Sequence, residues 1–360
     1  MPTLHDIARH SRVSVATVSH VVNNSAYVSP KLRERVLKAI REYNYQPNVV
    51  ARTLRTKASK TVGIFVPDIA DPFFPALVRG AEDVFTHSGY TLLIGNSDND
   101  QRKEERYYRA FMERRVDGLV AVVSSDHPAH YIQRHDLAKV PIVFADRAYL
   151  DLPADMVGID NIGSSKLAVN HLIEKGYERI ATITGPLTLA NARDRLTGYQ
   201  RSLREAHLEE DEALVREGSF DVQSGYMQAR HLLGLPLPPD AIFVQNGSMT
   251  LGAFRAIQEA GFRCPQEIGV ISFADQEWFS LVRPQISGVA HESYDIGSLA
   301  AELLLKRING KLTGEAVKRN IAAKLVVRES TEHTPRRHKE RTRGSGGNAF
   351  SGRGRAWDPR

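Results

Sequence analysis

The sequence predicts a mixed α/β protein that consists of a small all-helical head and a two-lobed body with parallel sheets. Three observations support this fold class. At 360 residues the chain is too long for one small hydrophobic core. Its first sixty residues contain three short amphipathic patterns, and the rest of the chain alternates apolar runs with amphipathic stretches. Several structural units are therefore expected.

Charge is distributed unevenly along the chain. Residues 1–60 hold 11 Lys and Arg against 3 Asp and Glu, a net charge of +8, and residues 334–360 hold 8 against 2, a net charge of +6. The body between them has a net charge of −8. A basic head on an acidic body favours a polyanionic partner, because each phosphate that the head neutralises releases counterions. On charge alone, a solvated basic surface without a partner is the alternative.

The head pattern predicts three short helices. Thr3 is a cap residue, and Asp6 follows three positions later, as in a capping box. Ser14 caps a second helix, and Ser29-Pro30 place a cap residue and then a proline at the start of a third. The buried stripe of the third helix is predicted to contain Leu32, Val36, Leu37 and Ile40. Three helices at this spacing are typical of a helix-turn-helix unit.

The body alternates strand and helix patterns, which implies parallel sheets with helices on both faces. It begins with the apolar run Val62–Pro67 and continues with Tyr90–Gly95. Further strands are predicted at Gly118–Val123, Pro141–Ala145, Arg179–Thr184, Ala241–Gln245 and Ile268–Phe273. Helices such as Lys166–Lys175 and Leu251–Ala260 lie between several of them. About ten strands divide more naturally into two lobes than into one sheet.

Composition excludes several classes of protein. The single cysteine, Cys264, rules out an intrachain disulfide framework and a cysteine-based metal cluster, and it fits a reducing compartment. No apolar run is long enough to cross a bilayer and the N-terminus does not resemble a signal peptide, so we expect a cytoplasmic protein. His127 and His130 lack a third metal ligand. We therefore expect neither a metal nor a cofactor.

Catalysis is the first alternative function, because parallel α/β folds host many enzymes. The sequence contains no phosphate loop, and Gly352-x-Gly354 lies in the basic C-terminal segment rather than after a strand. A free-standing ligand-binding protein is the second alternative. It would leave residues 1–56 unexplained and would need an export signal. Nothing in the sequence therefore supports an enzyme, and a free-standing ligand-binding protein does not account for the head.

The second helix of the head has residues that suit the recognition of double-stranded DNA. The first turns of a recognition helix lie on base edges in the major groove. Val15, Ala16 and His20 are predicted to face the bases, through apolar contact with a thymine methyl group or a hydrogen bond from the imidazole. The hydroxyl groups that suit phosphate oxygens belong to Ser14, Thr17 and Ser19. The alternatives are a core role for Val15 and an ordinary exposed position for His20.

A string of short motifs runs from the head into the body. It begins with Asp6-Ile7-Ala8 and the run from Val13 to Asn23. It continues through Val28-Ser29-Pro30, Arg35-Val36, Ala39-Ile40, Tyr45-Gln46-Pro47-Asn48 and Ala51-Arg52-Thr53-Leu54-Arg55. In this order and spacing the chain resembles the lactose/galactose-repressor (LacI/GalR) family of bacterial transcriptional regulators. The resemblance extends to about Ser330, over more than nine-tenths of the chain.

The resemblance implies four segments. Residues 1–47 form a helix-turn-helix DNA-binding head, and residues 48–58 form a hinge helix and linker. Residues 59–333 form an effector-binding and dimerisation body that is similar to periplasmic sugar-binding proteins. Residues 334–360 form a basic tail, which we expect to be disordered because it is rich in Arg, Gly, Ser and Pro. Two interpretations of this tail stay open: it adds affinity for DNA, or it is a passive extension.

The hinge segment supplies a second set of DNA contacts in such a family member. Leu54 is placed to wedge between base steps in the minor groove and to bend the duplex. Arg52 and Arg55 flank it and complete the set of expected DNA-binding residues. Packing of Leu54 against the body is the alternative.

The resemblance also implies an effector site in the cleft between the lobes, beyond the carboxyl ends of the parallel strands. Phe73 would stack on the ligand, and Arg195 would hold its polar groups. The matched effector-binding positions are Phe73, Asp146, Arg147, Arg195, Phe220, Asn246 and Asp275. Taken singly, Phe73 is more often a core residue and Arg195 more often a surface ion pair.

Departures from the family pattern bear on specificity. His20 stands where arginine is usual, so the two-pronged match to guanine is lost. Asn246-Gly247 replaces the common Asn-Asp, and Phe273-Ala274-Asp275 replaces the common aromatic-Asp-Asp. With Arg147 and Arg195 retained, we expect a less acidic effector site, which favours a sugar acid or another carboxylate over a neutral sugar.

The family mechanism couples two sites. Effector binding would change the angle between the lobes, the separation of two hinge helices and hence the spacing of two heads on pseudo-palindromic operator DNA. By linkage, an effector that weakens DNA binding must bind the DNA complex more weakly. We expect a homodimer, and a tetramer stays open. The sequence leaves both an inducer and a corepressor open.

Overall fold

The computed structural model of the chain describes residues 2–45, 58–126, 131–132, 140–149 and 152–332. It separates into two compact units, Met1–Val157 with Ser293–Lys318 and Gly158–Glu292 with Arg319–Arg360. The predicted fold class, a helical head with a two-lobed α/β body, is confirmed. The predicted residues that lie outside the described ranges are Arg52, Leu54 and Arg55, the loop histidines His127 and His130, and the tail from residue 334.

The head contains three helices, α1 (Leu4–Ser11), α2 (Val15–Asn23) and α3 (Pro30–Glu42). The predicted capping box is confirmed, because Thr3 Oγ1 accepts from the Asp6 amide and the Thr3 amide donates to Asp6 Oδ2 at 2.9 Å. Ser14 caps α2 by accepting from the Thr17 amide at 3.1 Å. Ser29 is at the N-cap position of α3, but its side chain forms no capping hydrogen bond.

The head has its own small core. It consists of Ile7, Ala8, Val18, Val21, Val36, Ala39 and Tyr45. The prediction that Leu37 is buried is wrong, since 39% of this residue is exposed. On α3 the face that meets the core is defined by Val36, Ala39 and Ile40, and Leu37 lies about 100° away from Val36 around the helix. The other residues of the predicted stripe are partly or fully buried.

Most strands of one six-stranded sheet belong to the first unit, and the order of the sheet is β11-β5-β4-β3-β1-β2. Its strands are β1 (Thr61–Val66), β2 (Thr91–Asn96), β3 (Gly118–Ala121), β4 (Ile142–Ala145), β5 (Asp155–Ile159) and β11 (Lys318–Ile321). The pairs of β1 with β2 and β3, of β3 with β4 and of β4 with β5 are parallel. The helices of this unit outside the head are α4 (Phe73–His87), α5 (Gln101–Glu113) and α10 (Ser293–Ile308).

The second unit contains another six-stranded sheet in the order β12-β10-β9-β8-β6-β7. Its strands are β6 (Ile180–Thr184), β7 (Val215–Glu217), β8 (Ala241–Val244), β9 (Gly269–Ser272), β10 (Ser287–Ala290) and β12 (Lys324–Val326). They pair in parallel, except that β12 is antiparallel to β10. The helices are α6 (Asn161–Glu174), α7 (Ala190–Glu205), α8 (Val222–Leu233) and α9 (Gly247–Glu259).

Two helices of the second unit begin earlier than predicted. Helix α6 starts at Asn161 because Asp160 caps it by accepting from the Gly163 amide at 2.9 Å. Helix α9 starts at Gly247 because Asn246 accepts from the Met249 amide at 2.8 Å. Each first turn has one large apolar residue, Ile162 or Met249, among polar or small ones, so hydrophobic periodicity does not reveal it. The residues just before these helices are therefore helix caps at the carboxyl ends of strands.

The strand count was also underestimated, with twelve strands in the described residues instead of about ten. The strands that the sequence did not reveal include β7, β11 and β12, which are short and largely polar or exposed. Within the described ranges, no helix is long and apolar enough to cross a membrane. The same residues contain no group of three or more His, Cys, Asp or Glu that could hold a metal ion.

Candidate functional sites

The outer face of α2 presents the predicted base-contacting residues unequally. Ala16 and His20 are exposed, and His20 Nδ1 lies 3.0 Å from the hydroxyl oxygen of Ser25. Val15 is partly buried and packs against the head core, which supports the alternative that it is a core residue. The sequence could not separate these roles, because all three positions lie in the first two turns of one short helix.

The predicted phosphate-contacting hydroxyls lie at the start of the same helix. Ser14 is exposed, and its hydroxyl is 2.9 Å from that of Thr17. Ser19 is partly buried one turn further along. Exposed basic residues surround this end of the chain, at Arg9, Arg12, Lys31, Arg35, Lys38 and Arg41. Together with the positive N-terminal end of α2, these groups make the head surface suitable for a polyanion.

Arg35 fixes the turn between α1 and α2. Its guanidinium donates to the carbonyl oxygens of Ser11 and Arg12 at the end of α1, at 2.5 and 3.0 Å. Arg12 itself is in the left-handed conformation, with φ 49° and ψ 49°. The side chain on α3 therefore satisfies carbonyls that the helix end leaves open and holds a strained turn in place. The motif Arg35-Val36 alone does not reveal this role of Arg35.

In the first unit, Phe73 and Arg147 lie at the carboxyl ends of β1 and β4. Phe73 is the first residue of α4 and is partly buried, and its ring meets Phe74 edge-on with 5.2 Å between centroids. Because Phe73 is only partly buried, the core interpretation and the site interpretation of this residue both stay open. Arg147 is 6% exposed and donates through Nη1 to Asn99 Oδ1 at 2.9 Å.

Arg147 is surrounded by carboxylates of its own unit. Burial lowers its pKa, and the charges of Asp146, Asp71, Asp126 and Glu104 act in the opposite direction. Asp146 Oδ2 lies 3.6 Å from Arg147 Nε, on a backbone with φ 57° that turns the chain sharply after β4. Four acidic side chains therefore act on one arginine in this unit, and the expectation of a less acidic effector site stays a prediction.

A buried network around Glu104 supports this part of the unit. Glu104 is fully buried on α5, and its Oε2 accepts from the Ser124 amide at 2.7 Å. The hydroxyls of Tyr131 and Tyr149 both donate to Oε1. Burial, followed by the charge of Glu104, raises the pKa of each tyrosine. The sequence did not predict this network, since Glu104 lies in a helix that reads as highly charged.

In the second unit, Arg195 is the central polar side chain. It projects from α7, is 6% exposed, and donates to Asn161 Oδ1 at 2.8 Å and to the Gln245 carbonyl at 2.7 Å. Its guanidinium carbon lies 4.0 Å from the centroid of the Phe273 ring and 5.9 Å from that of Phe220. The alternative of a surface ion pair is wrong, because Arg195 is buried against two aromatic rings.

Phe220 and Asn246 are brought together as the motifs suggested. Asn246 Nδ2 donates to the Phe220 carbonyl at 3.0 Å, while its Oδ1 caps α9. Phe220 has φ 64°, and its ring lies so close to Gly185 that a Cβ there would be 1.9 Å from Cζ. Gly185 therefore permits this ring position. The Asn246 amide acts within the unit by joining the two loops at the carboxyl ends of β7 and β8.

Asp275 and Gln276 follow β9, where the family pattern has acidic residues. Both Asp275 carboxylate oxygens accept from Arg328, at 2.7 and 3.0 Å, so this side chain is part of an ion pair in its own unit. A Cβ on Gly247 would lie 2.3 Å from Gln276 Nε2. The absence of a side chain at Gly247 thus leaves the room that a neutral amide occupies.

His291 is a candidate site residue that the sequence did not predict. It follows β10, and its ring lies against Phe273 with 4.6 Å between centroids. Burial, and to a smaller extent the charge of Arg195, lowers the pKa of His291 to about 3. The sequence did not reveal this residue because it did not reveal the strand before it. Ser287–Ala290 is short and has mostly small side chains, so it has no recognisable hydrophobic pattern.

Two family models match the chain. Bacterial regulatory proteins of the lacI family match residues 3–48, and a periplasmic binding protein-like domain matches residues 169–331. The ribose operon repressor of Escherichia coli (strain K12) is 35% identical over 309 residues, which cover 86% of this chain and 93% of that protein.

Solved structures show the same similarity. The complex of the transcriptional regulator CelR with cellobiose is 33% identical with a TM-score of 0.70, over 92% of this chain and all of that one. The lac repressor dimer bound to operator and the anti-inducer ONPF is 28% identical with a TM-score of 0.79, over 92% of this chain and 99% of that one. Head and body are thus matched together in both structures.

Proposed function

The chain belongs to the lacI family of bacterial regulatory proteins, and from this premise we propose that it is a cytoplasmic operator-binding repressor whose DNA affinity is controlled by a small neutral sugar. It is a DNA-binding transcriptional regulator with a periplasmic-binding-protein-like body. The identity of the sugar, the residues that contact it and the residues that contact the operator are the parts that we propose.

The DNA contacts are proposed to come from two segments. In the head, the exposed end of α2 enters the major groove, where His20 and Ala16 meet base edges. Val15 supports them from its partly buried position. The full set is Ser14, Val15, Ala16, Thr17, Ser19 and His20, with Arg52, Leu54 and Arg55 from the hinge. Exposed basic side chains of the head add affinity that does not depend on sequence.

The observation that carries the effector proposal is the stacking of buried Arg195 on Phe273 at the carboxyl edge of the second sheet. A few fixed polar groups beside aromatic rings are typical of sites that bind small polar molecules. Phe220 and Asn246 flank this group in the same unit. Phe73, Asp146 and Arg147 are the proposed contribution of the first unit, and Asp275 acts through its ion pair with Arg328.

The surrounding charges favour a neutral sugar over a sugar acid. Four carboxylates act on Arg147 in the first unit, so a further anion near it would be repelled. In the second unit, the imidazole of His291 next to Arg195 is neutral. Two relatives point in the same direction, because one is named for a ribose operon and the other was solved with cellobiose. A sugar acid or another carboxylate remains the alternative effector.

The proposal is tested by selecting bound duplexes from a randomised DNA library with the full-length protein. We expect a pseudo-palindromic motif to be enriched. Titration of that duplex in the presence of D-ribose, D-glucose, cellobiose and the corresponding aldonates should then reveal at least a tenfold change in affinity with one neutral sugar. A protein that lacks residues 1–58 is the control, and it should lose DNA binding but keep sugar binding.

The two parts of the proposal fail separately. Absence of any enriched motif would contradict operator recognition. An enriched motif whose affinity changes only with an aldonate would contradict the neutral-sugar assignment and leave operator recognition intact. The direction of the change would decide between an inducer and a corepressor.

A further inference from the structure

His291 is partly buried, and its ring nitrogens lack the hydrogen bonds that they can form. Both ring nitrogens, Nδ1 and Nε2, are enclosed and have no hydrogen-bond partner among the residues that the structure describes. The His291 ring lies against Phe273, with 4.6 Å between centroids, and the guanidinium carbon of Arg195 lies 4.0 Å from the centroid of the same Phe273 ring. The imidazole therefore lies next to the group that carries the effector proposal.

An unpartnered imidazole in this position is costly. A buried donor or acceptor that loses its partner retains the full penalty of removal from water. His171, in the same unit, shows the usual solution, because its Nε2 lies 2.8 Å from the Thr331 hydroxyl oxygen. The contrast indicates that the partner of His291 is a molecule that the protein binds.

The charge state of the ring restricts the chemistry of that partner. Burial and the neighbouring Arg195 lower the pKa of His291 to about 3, so the ring is neutral near pH 7. A neutral imidazole presents one N–H donor and one acceptor nitrogen. A hydroxyl group can meet either nitrogen, whereas a carboxylate can only accept and an ammonium can only donate.

We propose that His291 is a specificity-determining residue of the effector site, which binds hydroxyl groups of a neutral sugar beside Arg195. The inference rests on the proposed function and deepens it by naming the ligand group that this residue recognises. A sugar supplies hydroxyls on adjacent carbons, so one can accept from the N–H while its neighbour donates to the other nitrogen.

The test compares three variants by calorimetric titration with D-ribose, D-glucose, cellobiose and their aldonates. His291→Phe keeps a flat ring against Phe273 and removes both nitrogens, so we expect at least a tenfold loss of affinity for the neutral sugar that binds. His291→Gln restores one donor and one acceptor and should recover most of that affinity. His231→Gln, at an exposed position on α8, is the matched control and should bind like the wild type.

A second measurement protects the test against misfolding of a variant. In the wild-type protein labelled with 15N-histidine, addition of the bound sugar should shift the ring nitrogen signals of one histidine, and His291→Gln identifies that histidine. Equal affinity of His291→Phe and wild type, or unshifted signals on sugar binding, would overturn the role of His291 alone. Wild-type protein that binds only an aldonate, or none of these compounds, would overturn the neutral-sugar proposal as well.

Discussion

The neutral imidazole of His291 has a consequence for stability at low pH. Its pKa is about 3 in the folded protein and near 6.5 when unfolded, so the unfolded chain takes up a proton first as the pH falls. Folding stability is therefore lost progressively as the pH decreases below about 6.5. His291→Phe removes this contribution. Between pH 7 and pH 5, we expect the unfolding free energy of the variant to decrease by about 1–2 kcal/mol less than that of the wild type.

Urea titrations at pH 7 and pH 5 measure this difference. His171 also has a pKa that burial lowers, so some acid sensitivity should persist in His291→Phe. His231→Phe, with an exposed side chain on α8, should follow the wild-type pH dependence. Parallel stability curves for wild type and His291→Phe would show that the imidazole is not neutral in the folded state.

Among single residues, the sequence motifs identified the positions of the site residues better than the roles of those residues. Arg195 and Phe220 lie together on the second unit as the matched string suggested. Asp275 is instead committed to Arg328, a partner more than fifty residues away that no local pattern reveals. His291 and Glu104 were missed because their significance arises from burial, which depends on strands and helices that come from distant parts of the chain. A sequence motif carries residue types but not their surroundings.

Among the elements, the head helices depend on one side chain of α3. Arg35 donates to carbonyl oxygens of Ser11 and Arg12, where α1 ends and the chain turns toward α2. Loss of these hydrogen bonds leaves helix-end carbonyls to water and releases a left-handed residue. We expect Arg35→Gln to destabilise the head by about 1–2 kcal/mol and to weaken operator binding, while the melting of the body stays unchanged.

Operator titration and thermal melting together measure the effect of Arg35. Lys38→Gln is the matched control, because it removes one positive charge from an exposed position on the same helix. Both variants lose a charge, so the salt dependence of DNA binding should weaken equally in the two. A similar loss of operator affinity in both variants would mean that Arg35 acts only through its charge.

Element boundaries followed the sequence only where the elements are long and periodic. The central strands β1, β3, β6, β8 and β9 were predicted because they are apolar over most of their length. The early starts of α6 and α9 were missed, since caps such as Asp160 and Asn246 precede turns of mostly small and polar residues. Edge strands such as β11 were missed for a related reason, because exposed strands need no apolar pattern.

For the molecule as a whole, a pseudo-palindromic operator requires two heads, and hence two chains related by a twofold axis. The second unit offers an apolar surface for this purpose. Val222 on α8 and Leu251 on α9 are 39% and 42% exposed. They are neighbours, since a Cβ on Gly252 would lie 1.9 Å from the Val222 carbonyl oxygen. We infer that this surface, formed by Val222 and Leu251, contributes to a homodimer interface.

Leu251→Glu tests the inferred interface, because a buried interface tolerates an unpaired carboxylate poorly. We expect sedimentation velocity to show a shift from dimer to monomer and operator affinity to fall at least tenfold, since one head makes only half of the contacts. Leu237→Glu is the control, because it introduces the same charge at a loop residue of this unit that is 48% exposed. This variant should stay dimeric. If Leu251→Glu remains a dimer with full operator affinity, the two heads are joined through a different surface, and the exposed side chains of β2 become the next candidates.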